Sequence, residues 1–224
     1  MDDRNPRHFL KQPDCPTTSR DEDISLGFGY KHFKHGAHAC LIYRDEPERR
    51  RVISKYIESG IANNEQIGYF VDTMTPEEVR AWLAELDVEL PQTQQVEIVP
   101  AVSTYCPDGH FVPEQMLECL KNHYEHAIAK GFSGSRLSGE MTWSCRKIPG
   151  SEQLIVYEAL INTILDTHPV DAVCQYDVNK FDGGLIYDVL QVHPLMFVHG
   201  QIVKNPAYVK PDEFLRNYMN NGKK

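Results

Sequence analysis

No stretch of this chain approaches the roughly 18 to 20 consecutive apolar residues needed to span a bilayer. The leading segment, Met1 to Asp23, is charged and proline-containing and lacks the apolar centre of a signal peptide. A cytoplasmic protein is the expectation. Basic residues are in the minority: 23 Lys and Arg face 32 Asp and Glu, a net charge of −9. That balance excludes a chain-wide surface for nucleic acid or anionic lipid. The six cysteines, Cys15, Cys40, Cys106, Cys119, Cys145 and Cys174, form no C-x-x-C pair, so free thiols are expected rather than a disulfide framework. The glycine-lysine loop that cradles phosphates is missing as well. Where it would stand, between the first strand and the first helix, the chain reads Arg44-Asp45-Glu46-Pro47, with no glycine, no lysine and two carboxylates that repel phosphate. P-loop ATP chemistry and a Rossmann dinucleotide site are both excluded by that connection. Gly131-Phe132-Ser133-Gly134-Ser135 lacks the last glycine of a nucleophile elbow and precedes its strand, which excludes a serine hydrolase of that type. Cys106 and Cys145 have no local histidine to act as base.

What is present is a regular alternation. With 224 residues, 41% hydrophobic and 25% charged, the chain is long enough for one large domain with a sizeable core. Residues 1–35, with Pro6, Pro13 and Pro16, read as a flexible arm docked near Phe28 and Tyr30; residues 36–215 read as the domain, and 216–224 as a disordered tail. Strands are expected at Ala39–Tyr43, Ile67–Val71, Val96–Val99, the segment through Leu137, Ala172–Tyr176 and Leu195–Val198. Between the first two, Val52, Ile53, Tyr56, Ile57 and Ile61 recur at helical spacing. Thr75-Pro76-Glu77-Glu78 is a capping box. Pro113 opens a helix that Gly131 closes, Ser151 caps another, Gly184–Val192 is a short one, and Pro211-Asp212 starts the last. Tyr105-Cys106-Pro107-Asp108-Gly109 reads as a loop. Five repeats of strand then helix predict an α/β fold, a mostly parallel sheet with helices on both faces.

In such a sheet, ligands bind beyond the carboxyl ends of the strands. Those exits carry Tyr43 and Arg44, Asp72, Tyr105, Glu140 and Trp143, and Gln175, Tyr176 and Asp177. Arg136, inside the fourth strand, joins them as a deeper member or pairs with Glu140. Tyr43, Arg136, Glu140, Trp143, Gln175 and Asp177 are expected to surround one cavity, with Trp143 as its apolar wall and Glu140 and Gln175 as hydrogen-bonding groups. The plainer reading makes Arg136 and Glu140 a structural ion pair and Trp143 a cover for the sheet end. No single residue decides between the two; the convergence of the set favours the pocket.

Metal ligands are scattered. His35, His38 and Cys40 lie close together, and His123 and His126 stand three apart on a helix. A core histidine and a surface pair account for them, and no metal site is assigned. Cys15-Pro16 and Cys106-Pro107 match the dipeptide of some haem thiolates, but dipeptides recur by chance, so no cofactor and no catalytic residue is assigned.

The segments His38-Ala39-Cys40-Leu41-Ile42-Tyr43, Gly139-Glu140-Met141-Thr142-Trp143, Tyr157-Glu158, Cys174-Gln175-Tyr176-Asp177 and His193-Pro194 occur in that order. Together they resemble the MEDS domain, the methanogen/methylotroph DcmR sensory domain, from about Gly36 to Phe214. The resemblance implies a RecA-like fold without a P-loop, in agreement with Arg44-Asp45-Glu46-Pro47. It also implies a sensory input module that binds a small organic ligand, hydrocarbon derivatives among them. Modules of this kind are often joined to DNA-binding regions or histidine kinases. Neither is read in this chain, so a regulatory protein partner is expected, or the chain is a fragment. Two rivals stand beside this reading: an enzyme with Glu140 as acid or base, and a ligand-free scaffold whose own side chains fill the pocket. Turnover of a bound ligand marks the first; absence of any bound molecule marks the second.

Overall fold

The apolar runs read above become the central strands of one sheet in the computed structural model, which describes residues 24–25 and 32–220. A short antiparallel pair, β1 (Ile24–Ser25) and β2 (His32–Phe33), precedes the domain. β3 (His38–Tyr43) leads into α1 (Glu46–Ala62), β4 (Gln66–Val71) into α2 (Pro76–Glu85), and β5 (Val96–Pro100) into a short α3 (Ala101–Tyr105) and then α4 (Pro113–Ala129). β6 (Ser135–Glu140) runs into a 3-10 turn, Met141–Arg146, and a second one, Ser151–Gln153, opens α5 (Leu154–Ile164). β7 (Val170–Asp177), α6 (Gly183–Val192), the hairpin β8 (Leu195–Val198) and β9 (Gln201–Lys204), and α7 (Pro211–Asn220) complete the domain.

The helix starts are built as their residues dictate. Asp45 accepts the Glu48 amide at 2.9 Å, and Thr75 and Glu78 form a reciprocal capping box ahead of Pro76. Gly131 takes a left-handed φ of 85° just past α4, where a residue with a Cβ is disfavoured. Ser151 does not cap α5 directly; a 3-10 turn intervenes. A short helix, α3, leads into the loop expected from Tyr105. The last helix continues to Asn220, five residues into the segment expected as tail; the remaining tail residues, most of the arm, Gly27-Phe28-Gly29-Tyr30 and Cys15 lie outside the described residues.

The seven strands are ordered β5-β4-β6-β7-β3-β8-β9, parallel except for β9. β4 and β7 are buried along nearly their whole length, as strands covered on both faces must be. α1 and α2 cover one face through Val52, Ile53, Tyr56, Val79 and Trp82, which pack with Leu41, Tyr43 and Tyr69. α4, α5, α6 and α7 cover the other, where Cys40, Leu137, Cys174 and Tyr176 point. β6, β7 and β3 therefore stand side by side, as a RecA-like sheet requires, and their carboxyl ends share one edge. Among the described residues no helix is long and apolar enough to cross a membrane.

Candidate functional site

Glu140 ends β6 and Gln175 faces it on β7. Glu140 is fully buried. It pairs with Arg49 of α1 and accepts hydrogen bonds from the Tyr69 hydroxyl at 2.6 Å, the amides of Asp72 and Thr73 at 3.0 and 2.7 Å, and the Thr73 hydroxyl at 2.8 Å. These donors fill the acceptor capacity of one carboxylate. Arg49 also binds Glu46 and sits 5.8 Å above the Tyr43 ring. Gln175 donates to Ser138 at 2.9 Å. The carboxyl edge on the α1 face thus carries an electrostatic network that engages both Glu140 oxygens, while Gln175 Oε1 is buried in it without a hydrogen-bond partner among the described residues.

The ten residues expected at one site divide among four places. Tyr43, Glu140 and Gln175 belong to this network. Arg44, Asp72 and Asp177 lie in the loops beyond it: Asp72 pairs with Arg146 and accepts from Thr142, and Asp177 accepts from Asn179. Tyr105, Trp143 and Tyr176 project from the opposite face. Trp143 is not a rim residue. It is fully buried, stacked on Tyr105 at 5.0 Å and packed against Phe111 at 4.8 Å. Arg136 lies deeper still. It pairs with Glu65, donates to the Tyr56 carbonyl at 2.8 Å and stacks over the Tyr56 ring at 4.7 Å. The Arg136–Glu140 pair of the plainer reading does not form, because four residues along a strand span about 13 Å. The six residues expected around one cavity consequently lie on opposite faces of the sheet. Arg49 and Glu65 were missed. Arg49 precedes Val52, Ile53 and Tyr56 at helical spacing, which puts it on their apolar face and signals a buried charge.

A cleft of about 500 Å³ opens at the carboxyl edge between the Met141–Arg146 turn with its following loop and the β7–α6 connection. Cys145, Ile148, Lys180, Phe181, Asp182 and Leu185 line it. Phe181 packs edge-on against Tyr176 at 5.2 Å. Behind Tyr176, on the α5 face, four polar side chains meet in the core. Glu158 of α5 accepts from the Tyr176 hydroxyl at 2.5 Å through Oε1, while its Oε2 lies 3.1 Å from His38 Nε2, 3.4 Å from His193 Nε2 and 3.3 Å from Cys174 Sγ. All four are buried. Burial alone would raise the Glu158 carboxyl, but His193 and His38 outweigh it and hold it below the ordinary carboxylate range. Burial and then His193 lower His38, and burial with Glu158 pushes the Cys174 thiol well up. Glu158 therefore serves the middle of the sheet and not its carboxyl end. The five described cysteines, Cys40, Cys106, Cys119, Cys145 and Cys174, are free thiols.

The chain matches the MEDS family, the methanogen/methylotroph DcmR sensory domain, over residues 37–194. It belongs to that family. The MEDS match runs from β3 to the residue before β8 and so takes in the Glu140 network, the carboxyl-edge cleft and the Glu158 cluster. Among curated relatives, the transcriptional repressor DcmR of Methylorubrum extorquens (strain DSM 6343 / CIP 106787 / DM4) is 29% identical over 105 residues, covering 43% of this chain. The match spans 40% of that repressor's length. Among solved structures, a KaiC-like protein of Pyrococcus horikoshii OT3 superposes with a TM-score of 0.58 at 14% identity, covering 78% of this chain and 80% of that one. The flagellar accessory protein FlaH of Methanocaldococcus jannaschii gives 0.52 at 9% identity, covering 75% of each. At such identities these two establish the RecA-like fold alone. The MEDS membership makes this chain a sensory domain, and the solved structures give it a RecA-like scaffold.

Proposed function

We propose that this MEDS domain is a non-catalytic, cytoplasmic sensor that binds a small organic ligand in the carboxyl-edge cleft and passes occupancy to a regulatory protein partner. The reading rests on one observation above all: in a chain of a sensory family, an accessible cleft lies at the sheet edge where α/β folds place ligands. Its lining combines the apolar Ile148, Phe181 and Leu185 with the charged Lys147, Glu152, Lys180 and Asp182, which would suit a small organic molecule with both apolar and polar parts. The connection Arg44-Asp45-Glu46-Pro47 supports the same reading. Asp45 caps α1 and Glu46 pairs with Arg49 and Arg50, so carboxylates occupy the place where an NTPase would hold phosphate. A signal requires that ligand bind two conformations unequally. The Met141–Arg146 turn and the β7–α6 loop, which frame the cleft, are the segments whose positions occupancy would bias.

The test is a thermal-shift and native mass-spectrometry screen of the purified chain against small organic molecules, with Mg-ATP as control. Hits should bind unchanged, and Leu185→Trp, which fills the cleft from a half-buried position, should abolish the shift while leaving the fold intact. Conversion of a hit into product, or hits indifferent to Leu185→Trp, would contradict the proposal.

A further inference from the structure

The geometry points to a buried divalent metal site, of the zinc class, formed by His38, Glu158, Cys174 and His193. The four residues come from β3, α5, β7 and the end of α6, and their ligating atoms all lie within 4.8 Å of one another. Four of the six separations between them are close to those of a coordination shell. A tetrahedral ion with bonds of about 2.0 to 2.3 Å holds its ligand atoms about 3.3 to 3.7 Å apart. Here Glu158 Oε2 is 3.1, 3.4 and 3.3 Å from His38 Nε2, His193 Nε2 and Cys174 Sγ, and Sγ is 3.6 Å from His38 Nε2.

The outer hydrogen bonds fix which nitrogen of each ring is free. His193 Nδ1 lies 2.8 Å from the Val189 carbonyl, which can only accept, so Nδ1 carries the hydrogen. His38 Nδ1 lies 3.2 Å from Asn162 Oδ1. The orientation of that amide is set by its own donor, Nδ2, which binds the Val192 carbonyl at 2.8 Å. With each Nδ1 engaged outward, both Nε2 atoms face the Glu158 carboxylate. A proton shared between His38 and Glu158 relieves one of these contacts. It leaves the other: His193 Nε2, also buried, faces Glu158 Oε2 at 3.4 Å, an ion-pair separation. Imidazoles that donate outward through one nitrogen and present the other inward are the usual form of metal-ligating histidines.

Charge gives the same answer. A divalent cation with one carboxylate and one thiolate is neutral, which suits a site with no exposure to water. Binding displaces the Cys174 thiol proton to solvent and forms a metal–sulfur bond, with no change of oxidation state. Two imidazole nitrogens, a thiolate and a carboxylate are a donor set for zinc and its neighbours rather than for magnesium or calcium. Tyr176 holds the other Glu158 oxygen and packs on Phe181 of the cleft wall, so the site would lie one side chain behind the proposed ligand cleft. The metal site does not depend on that cleft being occupied.

The test uses the full chain. Elemental analysis of the purified protein should find about one equivalent of a zinc-class metal. After chelator treatment, titration with Co²⁺ should give thiolate-to-cobalt charge-transfer absorption that saturates at one equivalent and is displaced by Zn²⁺. Cys174→Ser should abolish that band, and His193→Gln should weaken binding by at least tenfold. Asn162→Ala, which removes the positioning partner of His38, should weaken it by about 10 to 100-fold, while Cys119→Ser on α4 should leave it unchanged. If Cys174→Ser does not fold, His193→Gln and Asn162→Ala still decide the matter. A folded parent protein that gives no cobalt–thiolate band, or parent-like affinity in His193→Gln and Asn162→Ala, overturns the proposal.

Discussion

Arg49 and Glu140, 91 positions apart in the chain, form a fully buried ion pair that ties α1 to the carboxyl end of β6. Removing one partner of such a pair strands the other charge in the core, at a cost of about 3 to 5 kcal/mol. Glu140→Ala should therefore lower the unfolding free energy by that amount in urea denaturation. A near-neutral effect would mean that Glu140 is held for chemistry rather than for structure.

Trp143 packs among Tyr105, Phe111 and the rest of the α5-face core. Trp143→Ala should cost about 3 to 5 kcal/mol by leaving a cavity. Equilibrium denaturation measures this directly; weakened ligand binding at unchanged stability would return Trp143 to the rim role expected from the sequence.

A Cβ added at Gly139 would collide with the Tyr105 hydroxyl and crowd the Met141 side chain. Gly139→Ala should destabilise by about 1 to 3 kcal/mol through overpacking. Tyr105→Phe removes the colliding oxygen, so the double variant should recover part of that loss. A double-mutant cycle with no coupling would show that the clash is relieved elsewhere.

Burial holds His123 down to about 4, with its Nδ1 2.7 Å from the Ser135 hydroxyl. The folded state thus binds this proton more weakly than the unfolded state, whose histidine titrates near 6.5. The stabilisation from the neutral ring is present above pH 6.5 and is lost as pH falls toward 4, by about 1 to 3 kcal/mol in all. His123→Gln removes the titration, so its stability should fall less steeply than the parent's between pH 6.5 and 4. Parallel curves would contradict the assignment.

His35 shifts the opposite way. Its hydrogen bond to Asp171, at 3.0 Å, raises the imidazole above its ordinary value. The protonated ring adds stability that is complete below pH 6.5 and disappears as pH rises through the raised value. Because the ring is part-exposed, the contribution is on the order of 0.5 kcal/mol. His35→Gln should be less stable than the parent at pH 6 and equal to it at pH 9; equal stability at both would sink the claim.

Local patterns carried the fold. The capping box at Thr75, Gly131 behind α4 and the apolar periodicity from Val52 to Ile61 are short-range signals, and each element they announce is present. Strand-helix alternation then fixes a parallel sheet, because a parallel strand needs a crossover. The ordered motifs from His38 to Pro194 carried the family, and Arg44-Asp45-Glu46-Pro47 shows that the glycine-lysine loop is missing between the first strand and the first helix. The allocation of side chains to the two faces was legible only in part. Alternation places Arg136 and Glu140 on one face of β6, yet nothing local indicates that Glu65 and Arg49 will claim them separately. Trp143 follows the strand end directly, and only the 3-10 turn decides that it folds back beneath Tyr105. His38, Glu158, Cys174 and His193 stand in the sequence as unrelated members of four motifs. Packing of α5 and the end of α6 onto β3 and β7 brings them together, a convergence set by long-range contacts that no spacing along the chain encodes.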